Sequence, residues 1–163
     1  MNDELIMEMI HYYTGDPQQI QHFLKVMTFS DLIAKEEKMS EKERFILEAA
    51  AIVHDIGIKK SKEIYGDSLG KHQEELGPDI ANNMLRKLNY DLDIIERVCY
   101  LVGHHHTYDH IQRLDYQILV EADFLVNLYE DNESENAIRS VREKIFKTAS
   151  GTKMLDEMFL TNE

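Results

Sequence analysis

Residues 49–57 read Ala-Ala-Ala-Ile-Val-His-Asp-Ile-Gly and belong to the most apolar helical stretch of the chain. Two potential metal ligands, His54 and Asp55, follow its apolar residues directly. An ionised Asp55 at this apolar helix end loses its hydration, which costs several kcal/mol unless an opposite charge lies beside it. A cation held by His54 and Asp55 would remove that cost, because adjacent imidazole and carboxylate groups can turn toward one ion where a helix ends. A capping aspartate beside a core histidine is the alternative.

The surrounding sequence predicts helices throughout the chain. Ser40 and Glu43 form a capping box that opens the central helix, and Gly57 ends it. The chain has only two prolines and seven glycines, and no alternating β-branched pattern of strand length. We expect an all-α fold, one compact domain over residues 1–163 with about six to eight helices. The helices are predicted at about 3–13, 17–38, 41–56, 71–88, 92–105, 115–130, 134–148 and 153–159, with a polar loop at 58–70.

Composition limits the classes of function. With 43% apolar and 30% charged residues, the chain suits a soluble globular protein. A formal net charge of -13 disfavours binding to nucleic acid polymers. Apolar runs fall short of the roughly 18–20 residues that span a bilayer, and the acidic start is unlike a signal peptide. We therefore expect a cytoplasmic protein with no membrane association. Cys99 is the single cysteine, which excludes an intrachain disulfide and a thiolate zinc site.

Asp123 repeats the pattern of an acid in an apolar helix. It lies in Leu-Val-Glu-Ala-Asp-Phe-Leu-Val at 119–126, with apolar residues four positions before and three after it. This spacing predicts that Asp123 faces the interior and that Glu121 faces out. Because no Arg or Lys lies in the same helix at helical spacing, the partner of Asp123 is a metal or a base from another helix.

The histidines differ in how strongly they indicate a site. His22 lies between Ile20 and Leu24, which taken alone is more typical of a core histidine than of a ligand. The run 104–106 is three histidines at the end of an apolar helix. Each residue turns a helix by about 100°, so at most two of the three can face one site. His72 begins the helix after the polar loop, whereas His11 and His110 are predicted to be peripheral.

The order of these residues resembles that of the HD superfamily of metal-dependent phosphohydrolases. A histidine on a helix comes first, a His-Asp pair follows about 30 residues later, and a distant aspartate comes last. Residues 51–57 look like its signature segment and residues 121–125 like its last motif. The likeness covers roughly residues 18–130, the motif-bearing core. The C-terminal helices at 133–160 carry no motif, and the spacing of their apolar residues indicates packing only. The resemblance implies these ligands for one metal ion: His22, His54, Asp55 and Asp123.

Some branches of the superfamily bind a second metal ion, and His72, His104 and His105 fall at comparable places. The spacing from His72 to Gly77 departs slightly from the usual form, and His105 with His106 is an alternative to the pair His104 and His105. The cofactor expected from the resemblance is one or two divalent metal ions, with Mn, Fe, Zn, Mg, Ni and Co not distinguished.

The leading functional hypothesis is hydrolysis of a small phosphate ester, a nucleotide or related metabolite, by metal-activated water. Asp55 would orient the water, and Lys59 or Lys60 would neutralise the phosphate, although these lysines equally suit a solvated loop. The segment 107–111 lacks the Gly-Tyr-Pro element of cyclic-di-GMP phosphodiesterases. The Glu-Asp pair of alarmone hydrolases is replaced by Ile-Gly at 56–57. Neither of those substrates is therefore expected.

Two other hypotheses remain open. Histidine and carboxylate ligands also suit iron, and some HD-superfamily members are di-iron oxygenases. A non-catalytic signalling or binding module stabilised by its metal is the third. The oligomeric state is not predicted.

Overall fold

A computed structural model describes residues 2–161, which form nine α-helices and no strand. This confirms the all-α prediction. The helices are α1 Asp3–Tyr12, α2 Pro17–Glu36, α3 Glu41–Val53, α4 Ile58–Tyr65, α5 Gly70–Lys87, α6 Leu92–Val102, α7 Leu114–Glu130, α8 Glu135–Lys144 and α9 Ala149–Phe159. None of the helices described is long and apolar enough to cross a membrane.

Helix α4 lies where the sequence predicted a polar loop, so that part of the 58–70 prediction is wrong. The lysines of this segment lie on its solvent side, while Ser61 is buried and its hydroxyl donates to the carbonyl of Asp67. Gly66 ends the helix in the left-handed conformation, with φ of 73°, which glycine adopts without steric cost. A single buried position in eight residues was too weak an apolar pattern to indicate a helix.

Helix α3 is the centre of the fold. It packs against α1, α2, α6 and α7, and every residue from Ala49 to Val53 is fully buried. The prediction that this helix, apolar nearly all round, lies inside the protein is confirmed. Its C-terminal end therefore delivers His54 and Asp55 to a place enclosed by neighbouring helices.

Helix α9 and the residues directly before it cover a face of α7 that the sequence assigned to solvent. Glu121 is fully buried, contrary to the prediction that it faces out. Its carboxylate accepts hydrogen bonds from the backbone N–H groups of Lys147 and Thr148 and from the Thr148 hydroxyl. A Cβ at Gly151 would overlap the same carboxylate. Glu121 thus binds the N-terminal end of α9, where free N–H groups favour a negative charge.

Candidate metal centre

Four of the predicted ligands meet at one point. His22 comes from α2, His54 caps the end of α3, Asp55 follows it, and Asp123 comes from α7. One ligand atom from each residue lies within 4.8 Å of the others. The Nε2 atom of His22 is 3.1 Å from Asp55 Oδ2 and 3.2 Å from Asp123 Oδ1. His54 Nε2 is 3.3 Å from the same Asp123 oxygen. We call these four residues the primary cluster.

Local hydrogen bonds orient the ligands at the end of α3. The Nδ1 atom of His54 lies 2.7 Å from the Ala51 carbonyl, which fixes the ring with Nε2 toward the primary cluster. The Tyr13 hydroxyl donates to the carbonyls of Asp55 and Ile56, at 3.2 and 3.3 Å. It also accepts a hydrogen bond from the N–H of Lys59. Tyr13 therefore holds the turn that carries the His-Asp pair.

Gly57 is needed at this turn because α5 approaches it closely. A Cβ at Gly57 would lie 2.8 Å from the Gln73 carbonyl oxygen and 2.9 Å from the Gly77 nitrogen. Both are backbone atoms that have little freedom to move. The glycine of the signature segment thus permits the contact that brings α5 beside Asp55.

A second group of donors lies on the other side of Asp55. Asp55 Oδ1 is 3.0 Å from His105 Nε2 and 3.6 Å from His106 Nε2. His106 Nε2 is in turn 2.9 Å from the side-chain oxygen of Gln73. Asp55, His105 and His106 form what we call the secondary cluster. Asp55 belongs to both clusters and is placed to bridge them.

Two histidines expected in the second site lie elsewhere. The His104 ring stacks on Tyr100 at 4.0 Å, and its Nδ1 bonds the Tyr100 carbonyl. The His72 ring stacks on Tyr65 at 3.9 Å, and its Nδ1 is 2.7 Å from Asp67. The structure thus brings His106 rather than His104 beside His105. From α5 it brings Gln73, the neighbour of His72, into contact with His106.

Two polar contacts at the primary cluster were not predicted from the sequence. Glu130, at the end of α7, lies 2.6 Å from His22 Nδ1, on the ring edge away from the cluster. Asn127 donates a hydrogen bond of 3.0 Å to Asp123 Oδ1. Both residues lie one or two helical turns beyond Asp123. That spacing places them on its face of α7, which is the only sequence feature that could have indicated them.

The electrostatics of the primary cluster favour positive charge. Burial opposes protonation of His22, but hydrogen bonds to Asp123 and Asp55 outweigh it and raise the pKa of His22 to about 11. Burial likewise opposes protonation of His54, yet the charge of Asp55 and the bond to Asp123 raise its pKa to about 9. Burial disfavours ionised Asp55, but the positive His54 holds the Asp55 pKa well below its usual value.

This donor set fits a divalent metal ion. Two imidazole nitrogens and two carboxylate oxygens are ligands that zinc, manganese and iron accept. All four side chains are buried, between 0% and 6% exposed as residues, so the two carboxylates need a counter-charge. Protons on the histidines supply it in the metal-free arrangement, and a cation would replace them.

A cavity of about 420 Å³ opens onto both clusters. Its lining includes Lys62 but neither Lys59 nor Lys60. The ammonium group of Lys59 donates to the Tyr12 carbonyl at 3.1 Å, and Lys60 lies 3.6 Å from Glu63 on the exposed side of α4. The lysine at the cavity is therefore Lys62, rather than either of the two lysines predicted to contact phosphate.

Comparison with known proteins gives the family of this chain. No curated protein matches the chain. A crystal structure from an uncultured Thermotogales bacterium, described as a predicted HD superfamily hydrolase, shares the fold with a TM-score of 0.70. The two are 24% identical over 96% of this chain and 83% of the other. The HD domain family matches residues 20–150, which include the primary cluster, the secondary cluster and the helices between them. The chain belongs to the HD domain family.

Proposed function

We propose that this protein is a metal-dependent phosphohydrolase that acts on a small phosphate ester. The observation that carries the proposal is the buried primary cluster, which opens onto a polar cavity. The hydrolase description of the structurally similar Thermotogales protein supports it. Part of the proposal is that residues 1–163 act as one domain, with the C-terminal helices stabilising the core.

The primary cluster would hold one ion through His22, His54, Asp55 and Asp123. When bound, a divalent ion supplies a Lewis acid that polarises a phosphoryl oxygen and lowers the pKa of water. The secondary cluster offers Asp55, His105 and His106 to a second ion. The neighbouring Gln73 side chain adds a neutral oxygen, whereas the primary cluster has a second carboxylate. We therefore expect a metal ion to bind more weakly at the secondary cluster than at the primary cluster.

Side chains of the cavity have separate roles in this proposal. Asp55 lies between the clusters, where its carboxylate can orient a water molecule for attack on phosphorus. Lys62 replaces Lys59 and Lys60 as the cation that neutralises the phosphate, because it lines the cavity. Glu130 keeps the His22 ring oriented through the 2.6 Å contact to Nδ1.

Oxygenase chemistry is the second candidate, and the bridging position of Asp55 is the observation that favours it. Its oxygens contact histidines on both sides, at 3.1 Å for His22 and 3.0 Å for His105. Such a carboxylate can hold two iron ions as well as two ions of a hydrolase. Oxygen consumption by the reduced iron protein separates the two, since hydrolysis needs no oxygen.

The test is hydrolysis of p-nitrophenyl phosphate and a panel of phosphate mono- and diesters by protein loaded with Mn²⁺. We expect turnover that EDTA abolishes, that His54→Ala reduces to background, and that His11→Ala, on the exposed side of α1, leaves unchanged. Circular dichroism checks that both variants are folded. Absence of turnover in protein shown to contain metal, or full activity in His54→Ala, would contradict the proposal.

A further inference from the structure

The cavity above the two clusters is lined by an unusual balance of charges. Its carboxylates outside the clusters are Asp16, Glu130 and Asp131, whereas Lys62 is its one lysine or arginine among the residues described. Glu130 is engaged with His22 and, at 3.5 Å, with Lys25. Asp16 and Asp131 are exposed at the ends of α2 and α7. One phosphate can be matched here by Lys62 and metal, but additional phosphates would meet carboxylates and be repelled.

The cavity also lacks the surface on which a nucleobase stacks. No Phe, Tyr or Trp from residues 2–161 lines it, and Ile58 is its one aliphatic residue. Its two imidazoles, His22 and His106, belong to the clusters. Proteins that bind bases gain much of the affinity from stacking on aromatic rings. The lining therefore gives a purine or pyrimidine little to bind.

Amide groups provide most of the remaining lining. Gln18, Gln19, Gln73 and Asn127 all contribute to the wall. Gln73 already contacts His106 and the Ser68 carbonyl, and Asn127 donates to Asp123. Gln18 and Gln19 are therefore the amides that offer donors and acceptors to a ligand, and the nearby carboxylates offer further acceptors. Hydroxyl groups both donate and accept, so a compound with several hydroxyls can satisfy such a wall at many positions.

Gln19 gives an independent indication that something polar binds there. Its Nε2 atom is buried and has no hydrogen-bond partner among the described residues. A buried donor without a partner is costly and uncommon in native proteins. Gln19 lines the cavity, and a rotation of its side chain would turn Nε2 out of this buried position toward a hydroxyl group bound there.

From these observations we infer that the substrate is the monophosphate of a small polyhydroxylated compound, a sugar or polyol phosphate, rather than a nucleotide or a polyphosphate. The inference rests on the proposed phosphohydrolase function and narrows its substrate. The phosphate lies toward the clusters and Lys62, and the hydroxyls contact the amide wall.

Calorimetry with non-hydrolysable phosphonates tests the inference without relying on turnover. The ligands are methylphosphonate, the methylene phosphonate of ribose 5-phosphate and that of AMP, each titrated into Mn²⁺-loaded protein. We expect the ribose compound to bind about tenfold or more tightly than methylphosphonate, as several hydrogen bonds to the sugar require. The adenine of the third compound should change Kd by less than about threefold.

Two matched variants locate the hydroxyl contacts. Gln19→Leu removes an amide that has no partner within the fold, so it should fold normally. We expect it to weaken the ribose compound about 3- to 10-fold and to leave methylphosphonate unchanged. Gln21→Leu, on the exposed side of the same helix and outside the cavity lining, should bind all three compounds like the wild type.

The outcomes separate the inference from the proposed function. A tenfold or greater gain from adenine, or equal binding of the ribose compound and methylphosphonate, overturns the sugar-phosphate assignment. Metal-dependent hydrolysis of p-nitrophenyl phosphate in that case leaves the phosphohydrolase proposal intact. Tight binding of the ribose compound without hydrolysis of any ester supports the ligand class and overturns the phosphohydrolase proposal.

Discussion

Glu130 Oε1 lies 2.6 Å from Nδ1 of His22, on the edge of the ring opposite the primary cluster. A carboxylate in this position accepts the Nδ1 proton and keeps Nε2 directed at Asp55 and Asp123, where a metal ion would take its lone pair in place of a proton. The contact joins His22, in the N-terminal part of α2, to Glu130, the last residue of α7. It accounts for the orientation of the one primary-cluster histidine that is not held by its own backbone.

Removing this carboxylate should weaken metal binding. We expect Glu130→Ala to lower the affinity for Zn²⁺ or Mn²⁺ by about 10- to 100-fold, since partners of ligating histidines have effects of that size. Glu130→Gln keeps an acceptor for Nδ1 and should lose less. Competition with a chromophoric chelator measures the affinities, with exposed Glu133→Ala as the control. An affinity unchanged in Glu130→Ala would show that the contact does not orient the ligand.

Metal binding should release protons. The pKa of His22 is raised to about 11 and that of His54 to about 9 by the adjacent carboxylates, so the metal-free cluster is protonated at neutral pH. A metal ion needs both Nε2 lone pairs, and we expect release of about one to two protons per ion. Calorimetry at pH 7 in buffers of different ionisation enthalpy measures this number. Release of no protons would mean that the histidines are neutral before metal binds.

The same shift predicts how the metal-free protein responds to alkali. Because the folded-state pKa of His22 is raised from 6.5 to about 11, its contribution to stability is complete below pH 6.5. That contribution is lost progressively as the pH rises toward 11. Thermal unfolding in EDTA should therefore show Tm falling across this range, and His22→Gln should flatten the dependence. Equal slopes in wild type and variant would contradict the assignment.

Glu121 should prove structural. Glu121→Ala leaves buried N–H groups at the start of α9 without their acceptor, and we expect a loss of about 2–3 kcal/mol in the free energy of unfolding. Metal affinity per folded molecule should not change, because Glu121 does not contact the clusters. Urea denaturation measures the loss, with exposed Glu143→Ala as the control. A loss no greater than that of the control would show that α9 is held by its apolar contacts alone.

Gln73 should limit the second ion. Its side-chain oxygen lies 2.9 Å from His106 Nε2, next to the secondary cluster. Gln73→His replaces a neutral oxygen by an imidazole, a stronger donor for transition metals. We expect the second step of a Mn²⁺ or Fe²⁺ titration to tighten in this variant while the first step is unchanged. A second step that does not move would place Gln73 outside metal binding.

The sequence predicted the primary cluster well because each ligand lies in a strongly patterned helix. Asp55 and Asp123 could be recognised as buried charges from their apolar neighbours alone. Placing His22 with them required the family resemblance, because its helix is equally consistent with a core histidine. The structure then brings all four together as expected.

The errors have local physical causes. Glu121 is covered by α9, which is distant in sequence and invisible to the periodicity of α7. Helix α6 ends at Val102, so residues 104–106 no longer follow the rotation of about 100° per residue that limits which histidines share a face. His105 and His106 therefore meet Asp55 together. The sequence did not indicate that Lys62 lines the cavity, because a segment predicted as a loop gives no register for its lysines.

The central claim is that the primary cluster binds a divalent metal, and metal content per chain tests it most directly. Tag-free wild type, Asp55→Ala and exposed Asp109→Ala are purified identically, incubated with Mn²⁺, Fe²⁺ or Zn²⁺, desalted and analysed for metals. We predict at least about one ion per chain in the wild type and in Asp109→Ala, and none in folded Asp55→Ala. No bound metal in the wild type, or equal metal in Asp55→Ala, would contradict the claim.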